Sequence, residues 1–361
     1  MSLSSAAPLA VLHLIATSMF LYGPNNSDFY NYNYGPGYAF AALYEAAEIS
    51  SDLNFTSQLD PWLDLYLQPN GYAYNVTHSI PMPYTGAVGE PTSFAVAYAA
   101  RARSSEDRAV ATMTADVYML AYPYRLVDGT FVRPNGWGNE EGSSFLWGDD
   151  QFMALALLCR LSRAGAPNSE AYLTVSVTNA LTNAARAQNS GGLFPHGFNT
   201  LTNESSCCVW GRANGWIAMS LVEVLHALPP TAPARPAVLS VFVRLAEGIA
   251  NTQNVTDGRW HQVLNETSTF LETSATAMFT YALATGVREG WLPRSRFAAI
   301  ANAGWAGITK AVRADGEVDG ICEGTPVLLT VAQYDERTTF YNASNSGLGA
   351  VMLAAMAVAR M

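Results

Sequence analysis

The sequence predicts an all-α protein, an (α/α)6 barrel of six helical hairpins with its long loops gathered at the active-site end. Three observations point there. Apolar residues recur at helical spacing in about twelve segments spread over the 361 residues. Alternating apolar/polar strands are scarce. Long loops rich in aromatic residues, glycine and asparagine follow every second helix, and loops of that length usually carry function. A helical solenoid is the competing arrangement, but no fixed repeat length and no polar capping repeats are present. No shift in composition marks a boundary, so residues 1–361 read as one domain.

Taken in order, the first helix is expected at Ala7–Tyr22. Its apolar stretch Pro8–Phe20 lacks the basic flank of a leader and runs into sequence that reads as structural, so a true leader is expected to have been removed ahead of it. Helices follow at Gly37–Ser50, Gln58–Leu67 and Thr92–Arg103. The next, Ser105–Ala121, opens with Ser104 and Asp107 at capping-box spacing. Asp149–Ala164 is apolar nearly all round from Phe152 to Cys159 and should be buried on most sides. Ser169–Gln188 comes next. In Arg212–Leu228, Ile217, Leu221, Val224, Leu225 and Leu228 keep helical spacing until Pro229 and Pro230 stop the run. Pro236–Thr252, Glu272–Gly286, Pro293–Val312 and Ser346–Met361 complete the set. Alanine-rich faces in several of them permit close packing. One short strand is expected near Asp319–Thr325.

Half of the residues are hydrophobic and 13% are charged, which excludes a disordered chain and a coiled coil. No run of about 18 apolar residues occurs, so no membrane span is expected. Net charge is −10 and Lys310 is the single lysine, so no basic stripe exists to follow a nucleic acid backbone. An anionic substrate must be held by local arginines against that field. The four cysteines include the adjacent pair Cys207 and Cys208 and no CxxC, which disfavours a zinc site and leaves room for one disulfide. Sequons at Asn25, Asn54, Asn75, Asn203, Asn254, Asn265 and Asn342 point to a secreted, extracellular glycoprotein carrying N-glycans, expected to be a monomer.

Three clusters could carry chemistry. Trp147-Gly148-Asp149-Asp150-Gln151-Phe152-Met153 sets two acids at a loop-to-helix junction. Adjacent helical side chains diverge by about 100°, so the two carboxylates cannot enter one pocket. One is reactive while the other caps, or both cap the helix. Asp149 and Met153 share a face. The second cluster holds His196, Trp210, Arg212 and Trp216. A guanidinium beside indole planes suits a sugar acid, gripping its carboxylate and covering its apolar face, or serves packing alone. The third, Trp260 and His261 followed by Glu272–Phe279, reads mainly as packing, with Trp260 and His261 at a pocket mouth as the alternative. Dinucleotide, P-loop, zincin and nucleophile-elbow motifs are missing, so dehydrogenase, kinase and serine-hydrolase readings have no support. No metal or other cofactor is expected.

The ordered segments WGDDQFM, HGFN, WGRANGW, WHQVLNETSTFLETSATAMFTYALATGVREGWL, GICEG and SNSGLGAVMLAAM resemble the unsaturated rhamnogalacturonyl hydrolases of glycoside hydrolase family 105 and, more distantly, the unsaturated glucuronyl hydrolases. The likeness runs from Trp147 to the C-terminus. It is loose before about residue 130, where Tyr34–Leu43 carries it. It implies an (α/α)6 barrel with a pocket at one end. It also implies removal of a terminal Δ4,5-unsaturated uronic acid from lyase-generated, pectin-type oligosaccharides. In that reaction an acid protonates C4, water adds at C5, and the product opens. By the same likeness Asp149 is the acid/base; Trp210, Arg212 and Trp216 line the uronate pocket, with His196 near the sugar hydroxyls, Met153 beneath the carboxyl, and Tyr34 at the pocket. Two departures stand out. Glu90 occupies the region where the family tends to have an aspartate, and Arg133 is the remnant of a basic segment or a surface residue. The alternatives are a mannanase-like glycosidase using Asp149 and Asp150 on saturated polysaccharide, and a non-catalytic uronate-binding glycoprotein.

Overall fold

The computed structural model describes residues 7–22, 34–65, 90–102, 104–134, 144–340 and 347–361. Its helices are α1 (Pro8–Tyr22), α2 (Tyr34–Ile49), α3 (Thr56–Leu65), α4 (Glu90–Arg101), α5 (Ser105–Thr114), α6 (Gly148–Arg163), α7 (Ser169–Ala187), α8 (Gly211–Ala227), α9 (Arg235–Asn251), α10 (Thr273–Arg288), α11 (Arg294–Ala311), α12 (Val331–Asp335) and α13 (Leu348–Ala359). All twelve expected helices are present, with ends shifted by a few residues. The fifth differs most: beyond Thr114 the helix widens into a π turn, Ala115–Leu120. Its start is as read, because Ser104 and Asp107 form a reciprocal capping box. Five-residue α12, capped by Thr330 and Gln333, was not foreseen.

Helices α2, α4, α6, α8, α10 and α13 pack side by side in that order, and α13 returns to α2, closing an inner ring. Outside it lie α1 against α13, α3 against α2, α5 against α4, α7 against α6, α9 against α8 and α11 against α10. This is an (α/α)6 barrel. The apolar-all-round pattern of Phe152–Cys159 is explained by this ring, since α6 touches α4, α7 and α8 at once. Close approach depends on missing side chains. A Cβ on Gly215 would lie 2.8 Å from the Cβ of Met278, so α8 seats directly on α10.

Inner helices begin at one end of the ring. Short strands there tie the loops down. β1 (Phe145–Trp147) pairs antiparallel with β2 (Gly197–Asn199), which pairs with β3 (Glu204–Ser205). β4 (Trp260–His261) pairs with β5 (Leu271–Glu272), and β6 (Ile321–Cys322) with β7 (Thr339–Phe340). The strand expected at Asp319–Thr325 is β6. At the opposite end, α6 and α8 finish around buried Glu223, which bonds Arg160 and Arg163, while Arg160 also reaches Glu45. No described helix is long and apolar enough to cross a membrane.

Candidate active site

β1 runs straight into α6, so Trp147 and Asp149 are fixed by the same junction. Register sets Trp147 opposite Gly197, and the Gly148 N–H donates to the His196 carbonyl at 3.0 Å. Position 148 tolerates no side chain, since a Cβ would meet that of Ala213 at 2.8 Å. The two acids diverge as helical geometry requires. Asp150 turns away to Arg133, whose Nε donates to Oδ2 at 2.7 Å and whose Nη2 donates to Oδ1 at 2.5 Å. Arg133 in turn lies over the Trp147 ring, 4.3 Å from its centre. Neither acid caps the helix.

Asp149 lines a cavity of about 310 Å³ together with Arg133, Trp147, Met153, Arg212 and the segment Gly324–Pro326. That volume is at the lower end for small-molecule sites. The side chain of Asp149 is 19% exposed, and its Oδ2 faces His196 Nε2 at 3.4 Å. Oδ2 is buried and has no hydrogen bond among the described residues.

His196 is fully buried behind the acid. Trp147 Nε1–H donates to its Nε2 at 3.1 Å, and its Nδ1 lies 2.6 Å from the Tyr334 hydroxyl. Trp210 lies tilted across the imidazole at 4.2 Å between ring centres. Burial pushes the imidazole's pKa down and outweighs the attraction of Asp149, so the ring is neutral near pH 7. Burial also pushes the Tyr334 phenol up.

Arg212, at the start of α8, is buried over the Trp210 ring. Its Nη1 donates to the Cys322 carbonyl at 2.6 Å and its Nη2 to the Glu323 carbonyl at 2.5 Å. The bidentate carboxylate grip expected of it is therefore replaced by a grip on β6 and the rim that follows. Its charge still borders the cavity beside Asp149.

Other expectations resolve as follows. Met153 lines the cavity one turn below Asp149. Trp210 forms a buried backing to His196 and Arg212. Trp216 is not at the cavity: it is 1% exposed, stacked on Phe152 and edge-on to Tyr38, because its position one turn into α8 faces the middle of the ring. Glu90 and Tyr34 open α4 and α2, but their side chains lie outside the described residues. Thr92, two residues after Glu90, donates to the Met153 carbonyl at 2.8 Å, which brings the start of α4 against α6. Trp260 and His261 are buried; His261 Nδ1 meets the Thr269 carbonyl and Nε2 meets Asn254 Nδ2, so both serve structure.

Three features were not settled by sequence reasoning. Arg133, open between the remnant of a basic segment and a surface residue, lines the cavity. Tyr334 comes from short α12, within a stretch read as loop. Cys207 and Cys208 are bonded to each other as a vicinal disulfide; Cys159 is the buried thiol that its apolar run predicts, and Cys322 is a buried thiol too. The Cys208 carbonyl accepts the His196 N–H at 3.0 Å, so the disulfide loop holds the back of the site. No group of three His, Cys, Asp or Glu that could hold a metal occurs among the described residues.

Residues 19–361 match the model of Glycosyl Hydrolase Family 88. The chain belongs to that family. An unsaturated 3S-rhamnoglycuronyl hydrolase of Alteromonas sp. (strain LOR) is 30% identical over 160 residues, 44% of this chain and 37% of that protein. The unsaturated rhamnogalacturonyl hydrolase YesR of Bacillus subtilis (strain 168) is 30% identical over 145 residues, 38% of each chain. The match thus spans under half the length of these relatives. A solved family 105 glycoside hydrolase from C. acetobutylicum ATCC 824 superimposes with a TM-score of 0.82 at 19% identity, covering 96% of this chain and 98% of that one. The likeness to family 105, read from the ordered motifs, agrees with these matches.

Proposed function

We propose that this family 88 chain is a hydrolase that removes the terminal Δ4,5-unsaturated uronate from lyase-generated oligosaccharides, with pectin or rhamnogalacturonan fragments as substrates. One observation carries the reading: the carboxyl of Asp149 and the guanidinium groups of Arg133 and Arg212 border the same cavity. Unsaturated uronates present a carboxylate beside an enol ether. Arg133 and Arg212 are the cations nearest the former, each also facing a buried acid, Asp150 and Glu272, and one acid serves the latter.

Asp149 gives its proton to C4, and the positive charge that develops is shared by C5 and the ring oxygen. Water adds at C5, and the carboxylate of Asp149 takes up the proton it loses. The resulting hemiketal breaks its C5–O bond. The hemiacetal then exposed at C1 collapses to an aldehyde and releases the neighbouring sugar as an alcohol. A single carboxyl suffices, whereas retaining and inverting glycosidases need two across one pocket. Asp150 is bound to Arg133 and does not line the cavity, so the paired-acid alternative has no observation in its favour.

The test is direct. Mixed with unsaturated rhamnogalacturonan or glucuronyl disaccharides, the protein should abolish the ultraviolet band of the C4=C5 bond while releasing a reducing sugar. A band that persists with every such substrate defeats the proposal.

Secretion is part of the same proposal. A disulfide and multiple sequons fit an oxidising, glycosylating route. Asn203 and Asn265 are exposed and suit glycans. Asn54 accepts from Thr56 ahead of α3, and Asn254 is held by the backbone N–H groups of Thr256 and Asp257 and by His261. Glycosidase treatment of protein made in a eukaryotic secretory host should lower its mass at Asn203 and Asn265. An unchanged mass removes this support.

A further inference from the structure

Behind Asp149 lies a line of polar groups that the hydration scheme does not use. Trp147 Nε1–H, His196, Tyr334 and the Leu328 N–H form one chain of hydrogen bonds, and its imidazole faces the acid. Indole nitrogen can only donate. Its contact with His196 Nε2 at 3.1 Å therefore requires a lone pair on Nε2. A neutral imidazole then carries its proton on Nδ1, which donates to the Tyr334 oxygen 2.6 Å away. The same oxygen accepts the Leu328 N–H at 3.1 Å. The opposite tautomer would set two N–H groups against each other across 3.1 Å.

We propose that Tyr334 is a positioning residue, which holds His196 as its Nδ1–H tautomer so that Nε2, occupied by the Trp147 N–H, has no proton to donate to Asp149 Oδ2. An Nε2–H, 3.4 Å from that oxygen, would donate to the carboxylate and hold it; the Nδ1–H tautomer withholds that bond. The other charged groups facing this assembly are Arg133, paired with Asp150, and Arg212, bound to the Cys322 and Glu323 carbonyls and 4.0 Å from buried Glu272. Both are fixed by those bonds and are unchanged by the tautomer. Tyr334 itself is fully buried and does not line the cavity, so it acts through His196.

The inference rests on the hydrolase reading, and its test separates the two. Tyr334→Phe removes the acceptor for Nδ1–H. The imidazole proton then moves to Nε2 and donates to Asp149, while half-buried Trp147 turns its N–H to solvent. Two-bond 1H–15N spectra of the imidazoles report the tautomer without any substrate. The protein has five histidines, and a His196→Gln variant identifies the signal. The wild type should show a protonated Nδ1, and Tyr334→Phe a protonated Nε2. In turnover of an unsaturated disaccharide, the alkaline limb of kcat/KM should move to lower pH by about one unit in Tyr334→Phe. Well below that limb, kcat/KM should stay within about threefold. A wild-type spectrum with protonated Nε2 overturns the proposal whatever the activity. So does a variant whose rate falls by one factor at every pH, or not at all. If the wild type consumes no unsaturated uronate, the hydrolase reading fails while the spectra still decide the tautomer.

Discussion

Replacing each of the neighbouring acids by its amide should produce opposite failures. Asp150 and Arg133 are 6% and 15% exposed in their side chains and make a bidentate pair. Removing one partner of a buried pair takes away the other's counter-charge, at a cost of about 3 kcal/mol. At about 2.1 cal/mol/K per residue, unfolding entropy over this chain is about 0.76 kcal/mol/K, so Asp150→Asn should lower Tm by about 4 °C. Arg133 remains near the cavity, and turnover per folded molecule should fall less than about tenfold. Asp149 makes no hydrogen bond through Oδ2 among the described residues, so Asp149→Asn should change stability by less than about 0.5 kcal/mol. It should lower turnover by at least about 10² to 10⁴, the usual worth of a general acid. Differential scanning calorimetry and the decay of the unsaturated chromophore measure both quantities on the same samples. If Asp150→Asn kept its Tm and lost turnover as completely as Asp149→Asn, the division of labour drawn from the geometry would be wrong.

Three further outcomes are expected. Burial opposes the ionisation of Glu223, but Arg160 and Arg163 together hold its carboxyl below the usual range; its stabilising contribution is present at neutral pH and lost as pH falls through that depressed value, so Glu223→Gln should flatten the decline of Tm between about pH 5 and pH 3. Gly148→Ala should push α6 away from α8 and cost about 1–3 kcal/mol, with turnover falling about tenfold because Asp149 shifts with the helix; unchanged kinetics would contradict the contact at Ala213. Burial pushes the Cys159 thiol up to about 12 and raises Cys322 as well, so iodoacetamide should label neither in the native protein, two cysteines after denaturation, and four after reduction, counted by intact mass.

The helices were legible because their apolar spacing and caps are local. Ser104 with Asp107 marks a start that the structure keeps, and Pro229 with Pro230 marks an end. The closed ring follows from alternating long loops, a pattern visible along the chain. Details of the site were less accessible. That Asp149 and Asp150 must diverge follows from helix geometry, yet the partner of Asp150 could not be foreseen, because Arg133 reaches it through an isolated bridge to Phe145. Trp216 illustrates the reverse: its spacing from Arg212 puts both on one face of α8, but that face runs from the cavity into the centre of the ring within a single turn. Tyr334 left no periodic signal, since five residues of α12 are too few to show one. Its position depends on contacts 138 residues apart in sequence.

The rim from Gly324 to Leu328 and the acid have separate main supports and share Tyr334, which bonds both Leu328 and His196. Arg212 holds the base of the rim, Arg337 bonds Gly324, and Tyr334 holds Leu328, while Asp149 rides on a stave enclosed by its neighbours. On the proposed function, changes from Gly324 to Pro326 would alter which leaving sugar is admitted, whereas changes at Leu328 or along the stave would reach the proton donor as well. Descendants of this chain that colonise new polysaccharides should accordingly diversify at the rim first, with the wood of the barrel conserved.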